Sequence, residues 1–316
     1  MSDWRNEAYA LVFPGQGAQF VGMGAALRAQ SPFAASVLEE ANAVLGFDLV
    51  DLMANGPAET LEDTYNAQPA ILAVSVAALR AVEAASGERL QPRMVAGHSL
   101  GEFSALVAAG VLEYPDALRL VRERGRIMKA AGETTPGAMA AVLGLDDEVL
   151  AEVCEQVSDA GVVVVANRNC PGQTVISGSV DALERASELA KERGAKRVAR
   201  LGVSIASHSP LMADAAAEFG ALVAGIELAD PQVPVVANGS AQPMIARHDV
   251  AAEISQQMAA PVNWTGTIQT MIAHDIRTFI ELGPGAVLAG LIKRIDRDVV
   301  VLGIADLGLD LPTTAR

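Results

Sequence analysis

A short apolar run, Met94-Val95-Ala96, opens directly into Gly97-His98-Ser99-Leu100-Gly101, and Leu100, Phe103, Leu106 and Val107 then recur at helical spacing. Such a stretch constrains the fold to one in which buried strands feed helices through tight turns. The two glycines let chain segments cross where a Cβ would clash. The bend also has a chemical meaning. A serine hydroxyl is a poor nucleophile, and on a turn of this kind it stands exposed, near a base and near backbone N–H groups that can receive oxyanion charge.

Strand and helix patterns alternate along the rest of the chain, which predicts an α/β fold with a parallel sheet. With 316 residues, 51% hydrophobic and 19% charged, the chain can bury one large core, or a core plus a smaller second one. Residues 10–13 read as a first strand ending in the glycine-rich loop Pro14-Gly15-Gln16-Gly17-Ala18-Gln19. The loop is not a dinucleotide fingerprint, because Phe20 stands where G-x-G-x-x-G needs its last glycine. Residues 69–86 read as a helix closed by Gly87. From 137 to 203 the pattern changes: strands at 138–143, 162–166, 174–177 and 197–201, helices at 147–157 and 180–193. That order, βαββαβ, is the ferredoxin-like split βαβ, read here as a domain of residues 137–203 inserted into a larger one made of 1–136 and 204–316.

A net charge of -15 argues against general nucleic-acid binding, which wants a basic face. Cys154 and Cys170 are too few for a disulfide framework and read as reduced thiols, with a single bridge left open by counting. The first seven residues are polar rather than signal-like, and the longest apolar helical segment, 69–85, is broken by Arg80. The expectation is a cytoplasmic protein that does not enter membranes.

Of four histidines, His248 and His274 lie in polar surroundings, and strand alternation turns His98 away from Ser99. His208 follows the apolar segment 201–205 and precedes Ser209-Pro210, which reads as a helix N-cap with proline at the first helical position. Strand-to-helix loops of this kind are where α/β proteins carry catalytic side chains, so His208 is the candidate base. Arg124, within a helix expected at 115–131, has Leu120 and Met128 four residues away and Val121 and Ile127 three away. A guanidinium in an apolar stripe needs a partner. Either an internal carboxylate or a substrate carboxylate, gripped by the planar fork, would serve.

Taken in order, Pro14-Gly15-Gln16-Gly17-Ala18-Gln19, Gly97-His98-Ser99-Leu100-Gly101-Glu102, Arg124-Gly125, Gly137-Ala138-Met139-Ala140-Ala141-Val142, Asn167 and Asn169 before Pro171-Gly172-Gln173, Ser207-His208, and Glu281-Leu282-Gly283-Pro284-Gly285 resemble the malonyl-CoA:acyl carrier protein transacylases. These are the stand-alone acyltransferases of type II fatty acid synthesis. The likeness runs from about residue 10 to 295.

The resemblance implies an α/β-hydrolase-like large domain with an inserted ferredoxin-like one. It implies Ser99 as nucleophile, His208 as base, the Gln257 backbone carbonyl as the group orienting the histidine, Arg124 as the holder of the malonyl carboxylate, and the N–H groups of Gln16 and Leu100 as the oxyanion hole. Malonyl-CoA and acyl carrier protein follow as partners. The CoA thioester is then a substrate, with no metal or other cofactor, and the protein is read as a monomer. Carrier protein and CoA are acidic, so a local basic surface is expected from Lys191, Arg193, Lys196 and Arg197 together with Lys293, Arg294 and Arg297. The rival readings are a serine hydrolase or thioesterase and a polyketide-pathway acyltransferase using methylmalonyl-CoA, the latter because Ser207 precedes the histidine. Residues 307–316 fall outside the likeness and read as a frayed tail.

Overall fold

The computed structural model describes residues 7–307; the polar start and most of the tail read from the sequence lie outside them. Among the described residues the strands are β1 (Tyr9–Phe13), β2 (Met94–Gly97), β3 (Gly137–Leu143), β4 (Val163–Cys170), β5 (Gln173–Ser179), β6 (Arg197–Arg200), β7 (Val235–Val236), β8 (Pro243–Met244), β9 (Thr278–Glu281) and β10 (Val300–Gly303). They form two sheets. The larger runs β10-β9-β1-β2-β7-β8 and is parallel except at its last pair. All five residues of β1 are buried, as expected for a central strand with helices on both faces. Leu11 and Phe13 enter the core under the Thr64–Ser86 and Tyr114–Thr134 helices, and Ala10 and Val12 enter the one under Trp264–Ala273 and Val287–Ile295.

The Thr64–Ser86 helix is long and apolar enough to cross a bilayer, but 72% of its most apolar window is buried inside the protein. It starts five residues before the position expected from the sequence. Asp63 accepts the Tyr65 amide at 3.0 Å and caps a helix whose sixth residue is Pro69. So near the start, the proline removes one backbone bond and the helix continues through it.

The smaller sheet runs β4-β5-β3-β6 and is antiparallel throughout. With the Asp147–Gln156 and Val180–Glu192 helices it has the βαββαβ order expected from the sequence. Both helices cover one face. The other face carries Met139, Val175, Leu201 and Val203, which turn toward the larger sheet and line a cleft of about 400 Å³. Reciprocal backbone bonds, Val262 N–H to Ala166 at 2.8 Å and Arg168 N–H to Val262 at 2.9 Å, tie β4 to the larger body. Cys154 and Cys170 are both free and buried, which answers the bridge left open by counting.

Candidate active site

Ser99 sits in the elbow between β2 and the Gly101–Ala108 helix with a φ of 50°, in the left-handed region that only a constrained site imposes on serine. Two glycines make the bend possible. A Cβ on Gly97 would stand 1.9 Å from the Gly101 carbonyl carbon, and one on Gly101 would stand 2.1 Å from the Phe13 oxygen. Asn238, beyond β7, holds the bend from below: its Oδ1 accepts the Ser99 amide at 2.7 Å and its Nδ2 donates to the Gly97 carbonyl at 2.8 Å.

His208 lies 2.8 Å from Ser99 Oγ through Nε2. It too has a left-handed φ, 60°, and its amide is pinned to the Met258 carbonyl at 2.8 Å. Nδ1 faces the carbonyls of Gln257 and Ala260, each at 3.0 Å, so it carries the proton and leaves the Nε2 lone pair toward the serine. Burial, with the Arg124 charge nearby, pushes the imidazole pKa down to about 3, so the ring is neutral at ordinary pH. The expected helix cap beside it is different in detail. Ser209 holds the N-cap position with Pro210 next, but its hydroxyl donates back to the Ala206 carbonyl at 2.7 Å and caps no amide, and what it opens is a short 3-10 turn, Pro210–Met212.

Arg124 is 2% exposed, as its place in the apolar stripe required. No carboxylate pairs with it among the described residues. Nη1 donates to Gln68 Oε1 at 2.9 Å, and Nη2 donates to Gln257 Oε1 at 2.7 Å and to Ser99 Oγ at 3.3 Å. Nε has no partner. Burial lowers its pKa to about 10, which still leaves it charged. A cation held only by neutral acceptors beside the serine is a receptor for an anion.

Gln16 and Leu100 line the same cleft. Neither main-chain N–H has a protein acceptor among the described residues. The Gln16 side chain accepts from Thr64 Oγ1 at 2.9 Å, and Thr64 accepts from Gln68 Nε2 at 2.9 Å, so the loop is linked to the arginine's holder. His98 turns from the serine to Asn169, Nε2 to Oδ1 at 2.8 Å, and packs on the Trp264 ring. His248 and His274 are exposed. Arg126 pairs with Glu123 and Glu218 on the surface.

Two of the basic residues lie beside the 171–173 turn. Arg294 donates to the Pro171 carbonyl at 3.1 Å and to Gln173 at 2.5 Å, while the Lys196 stem lies over Gly144, whose amide donates to the Gly172 carbonyl at 2.8 Å. Lys191, Lys196 and Arg197 form no ion pair among the described residues, Arg193 is tied to Gln156 and Glu152, and Lys293 donates to backbone carbonyls.

Three partners were not expected from the sequence. Gln68 directly precedes Pro69, outside the helix that the sequence indicates at 69–86, and carries no signal of its own. Asn238, in Asn238-Gly239-Ser240, looks like an ordinary turn residue, and Glu102 like an ordinary acid in a helix's first turn.

A serine at a strand-to-helix elbow, paired with a histidine and facing unpartnered amides, is equipped for acyl transfer. The acyl transferase domain family model matches residues 10–304, and the chain belongs to that family. The Bacillus subtilis malonyl CoA-acyl carrier protein transacylase is 45% identical over 298 residues, 94% of this chain and 93% of its own length. The Vibrio cholerae acyl carrier protein S-malonyltransferase structure superposes with a TM-score of 0.91 at 43% identity, covering 94% of this chain and 96% of its own. A further solved neighbour, a type II PKS acyl-carrier protein in complex with its malonyl-transacylase, gives a TM-score of 0.92 at 41% identity over 95% of this chain and 98% of that one. The family resemblance and the fold class read from the motifs are thereby borne out.

Proposed function

We propose that the protein transfers a malonyl group from malonyl-CoA to the phosphopantetheine thiol of acyl carrier protein through a malonyl-serine intermediate. The observation that carries the reading is the buried Arg124, charged and without a carboxylate partner, 3.3 Å from the Ser99 hydroxyl. An acyl group bearing a free carboxylate supplies the missing charge and is presented to the nucleophile by the same contact.

In this reading neutral His208 takes the Ser99 proton on Nε2 as Oγ attacks the thioester carbonyl. The N–H groups of Gln16 and Leu100 receive the oxyanion. Collapse breaks the carbon–sulfur bond, and the departing CoA sulfur takes the proton from Nε2. The carrier thiol then repeats the steps in reverse, giving ping-pong kinetics. The Gln257 carbonyl orients the imidazole without adding a charge. Every step is carried by groups of this chain, with the thioester as substrate. We assign the catalytic body to residues 1–136 and 204–316 and the inserted domain to 137–203, and keep the cytoplasmic, monomeric reading. For the carrier protein we assign a surface of Lys191, Lys196, Arg197, Lys293 and Arg294, of which Arg294 and Lys196 come together beside the 171–173 turn.

Intact mass after mixing with malonyl-CoA tests the reading. The expected result is one malonyl adduct, absent in Ser99→Ala and discharged by holo carrier protein. Release of free malonate faster than carrier loading would select a hydrolase instead.

A further inference from the structure

Glu102 is wholly buried, and the reaction as drawn does not use it. It lies in the first turn of the Gly101–Ala108 helix, three residues after the nucleophile, with both carboxyl oxygens aimed at N–H donors. Oε1 accepts the main-chain amide of Asn238 at 3.0 Å, and Oε2 accepts Nε2 of Gln257 at 2.5 Å. Gln257 Nε2 also donates to the Ser99 carbonyl at 2.9 Å, which leaves Gln257 Oε1 as the acceptor that meets Arg124 Nη2 at 2.7 Å.

We propose that Glu102 is a positioning residue for acyl-group selectivity: it fixes which end of the Gln257 carboxamide faces Arg124, and so aims the guanidinium at the substrate carboxylate. The proposal rests on the malonyl-transfer reading above.

The argument is one of acceptors. A carboxamide is nearly symmetric in shape and not in chemistry, so its orientation is set by what surrounds it. Around Gln257 stand one carbonyl and one carboxyl on one side and a guanidinium on the other, and only the observed orientation satisfies all three. Only a carboxyl side chain offers an acceptor on both of its faces. A glutamine at position 102 has one oxygen. The Asn238 amide is main chain and cannot turn away, so that oxygen stays there, and the new NH2 confronts the NH2 of Gln257. Turning Gln257 over relieves that contact and then points its NH2 at Arg124, which loses an acceptor and is pushed from its place. Glu102 also stands one amide away from the arginine, with its carboxyl pKa raised to about 8 by burial and by Glu253 nearby. A carboxylate in direct contact would neutralise Arg124 and compete with the substrate, whereas the intervening amide aims it and leaves its charge unspent.

The test compares the rates at which Ser99 is acylated by malonyl-CoA and by acetyl-CoA in the full-length protein, for wild type, Glu102→Gln, Arg124→Ala and the double variant. Glu102→Gln is expected to lower the malonyl-to-acetyl ratio by about tenfold, and to lower it no further once Arg124 is already alanine, since residues acting as one unit are not additive. A ratio within twofold of wild type, or an undiminished effect in the double variant, overturns the proposal. Gln257→Met cuts the same link while keeping the backbone carbonyl under His208. It should show the same loss even if Glu102→Gln does not fold, and an unchanged ratio there overturns the proposal by itself. Wild type that loads acetyl as readily as malonyl would bring down the functional reading itself, a result distinct from a failed link.

Discussion

The backbone carbonyl of Gln257 stands 3.0 Å from Nδ1 of His208, so the imidazole is oriented by a group that does not titrate. Its pKa therefore has no carboxylate to raise it, and burial pushes it down to about 3.

The acid limb of Ser99 acylation is accordingly expected far below the usual imidazole range, near pH 3. Acetyl-CoA is the probe for this measurement, because malonate titrates on its own. A limb between pH 6 and 7 would contradict a buried neutral base. The same shift has a stability consequence with a definite sign. Between about 3 and 6.5 the unfolded chain binds a proton at this residue that the folded one does not, so stability falls as pH drops through that window. The slope from one group is at most about 1.4 kcal/mol per pH unit. His208→Ala should flatten it in urea titrations.

Arg124→Ala should slow malonyl loading by about a hundredfold, the order expected for removing one member of a buried charge pair, and slow acetyl loading much less. Arg124→Lys should not restore it. An ammonium cannot span Gln68, Gln257 and a carboxylate at once. Equal losses for both acyl groups in a loading assay would refute the assignment.

Gly101→Ala tests the elbow as architecture. Its Cβ would lie 2.1 Å from the Phe13 carbonyl oxygen, a main-chain atom in the middle of the large sheet. The expected cost exceeds about 3 kcal/mol, seen as a large fall in Tm or as insoluble protein. A variant that melts with wild type would mean that β1 can move aside.

Reversing charge at Lys196 and Arg197 together should raise the KM for carrier protein several-fold at low ionic strength and leave the KM for malonyl-CoA nearly unchanged. Salt should erase the difference, since exposed charges act over a Debye length of about 10 Å at 0.1 M. An unaltered KM at low salt would remove these residues from the docking surface.

How much of this was readable beforehand follows from the range of each interaction. The elbow, β1 and the βαββαβ order announced themselves because local periodicity decides them, and Arg124 stood out because a charge in an apolar stripe is a contradiction within one helix. The Thr64–Ser86 helix begins earlier than the sequence indicates because a proline such as Pro69 ordinarily marks a first turn, whereas here the Asp63 cap lies six residues before it. Gln68, Glu102 and Asn238 were invisible for a different reason. Each acts on a residue distant in sequence, up to 155 positions away for Glu102 and Gln257, so their meaning exists only after folding. Whether Arg124 answers to an internal acid or to a ligand is likewise open in the sequence; in the fold its acceptors are the oxygens of two glutamines and Ser99, with no carboxylate paired to it among the described residues.

The crossing of β2, the elbow and the helix after it is built from main-chain atoms at separations that admit no side chain at Gly97 or Gly101. Ser99 is consequently indexed to the sheet, while apolar walls of the cleft it faces come from the smaller sheet and its edge and from Met128 on a separate helix. Those walls can be recut, to admit a bulkier group, without disturbing the elbow. The size of the group admitted is thus open to change apart from the elbow, whereas its charge answers to Arg124, which touches Ser99 itself.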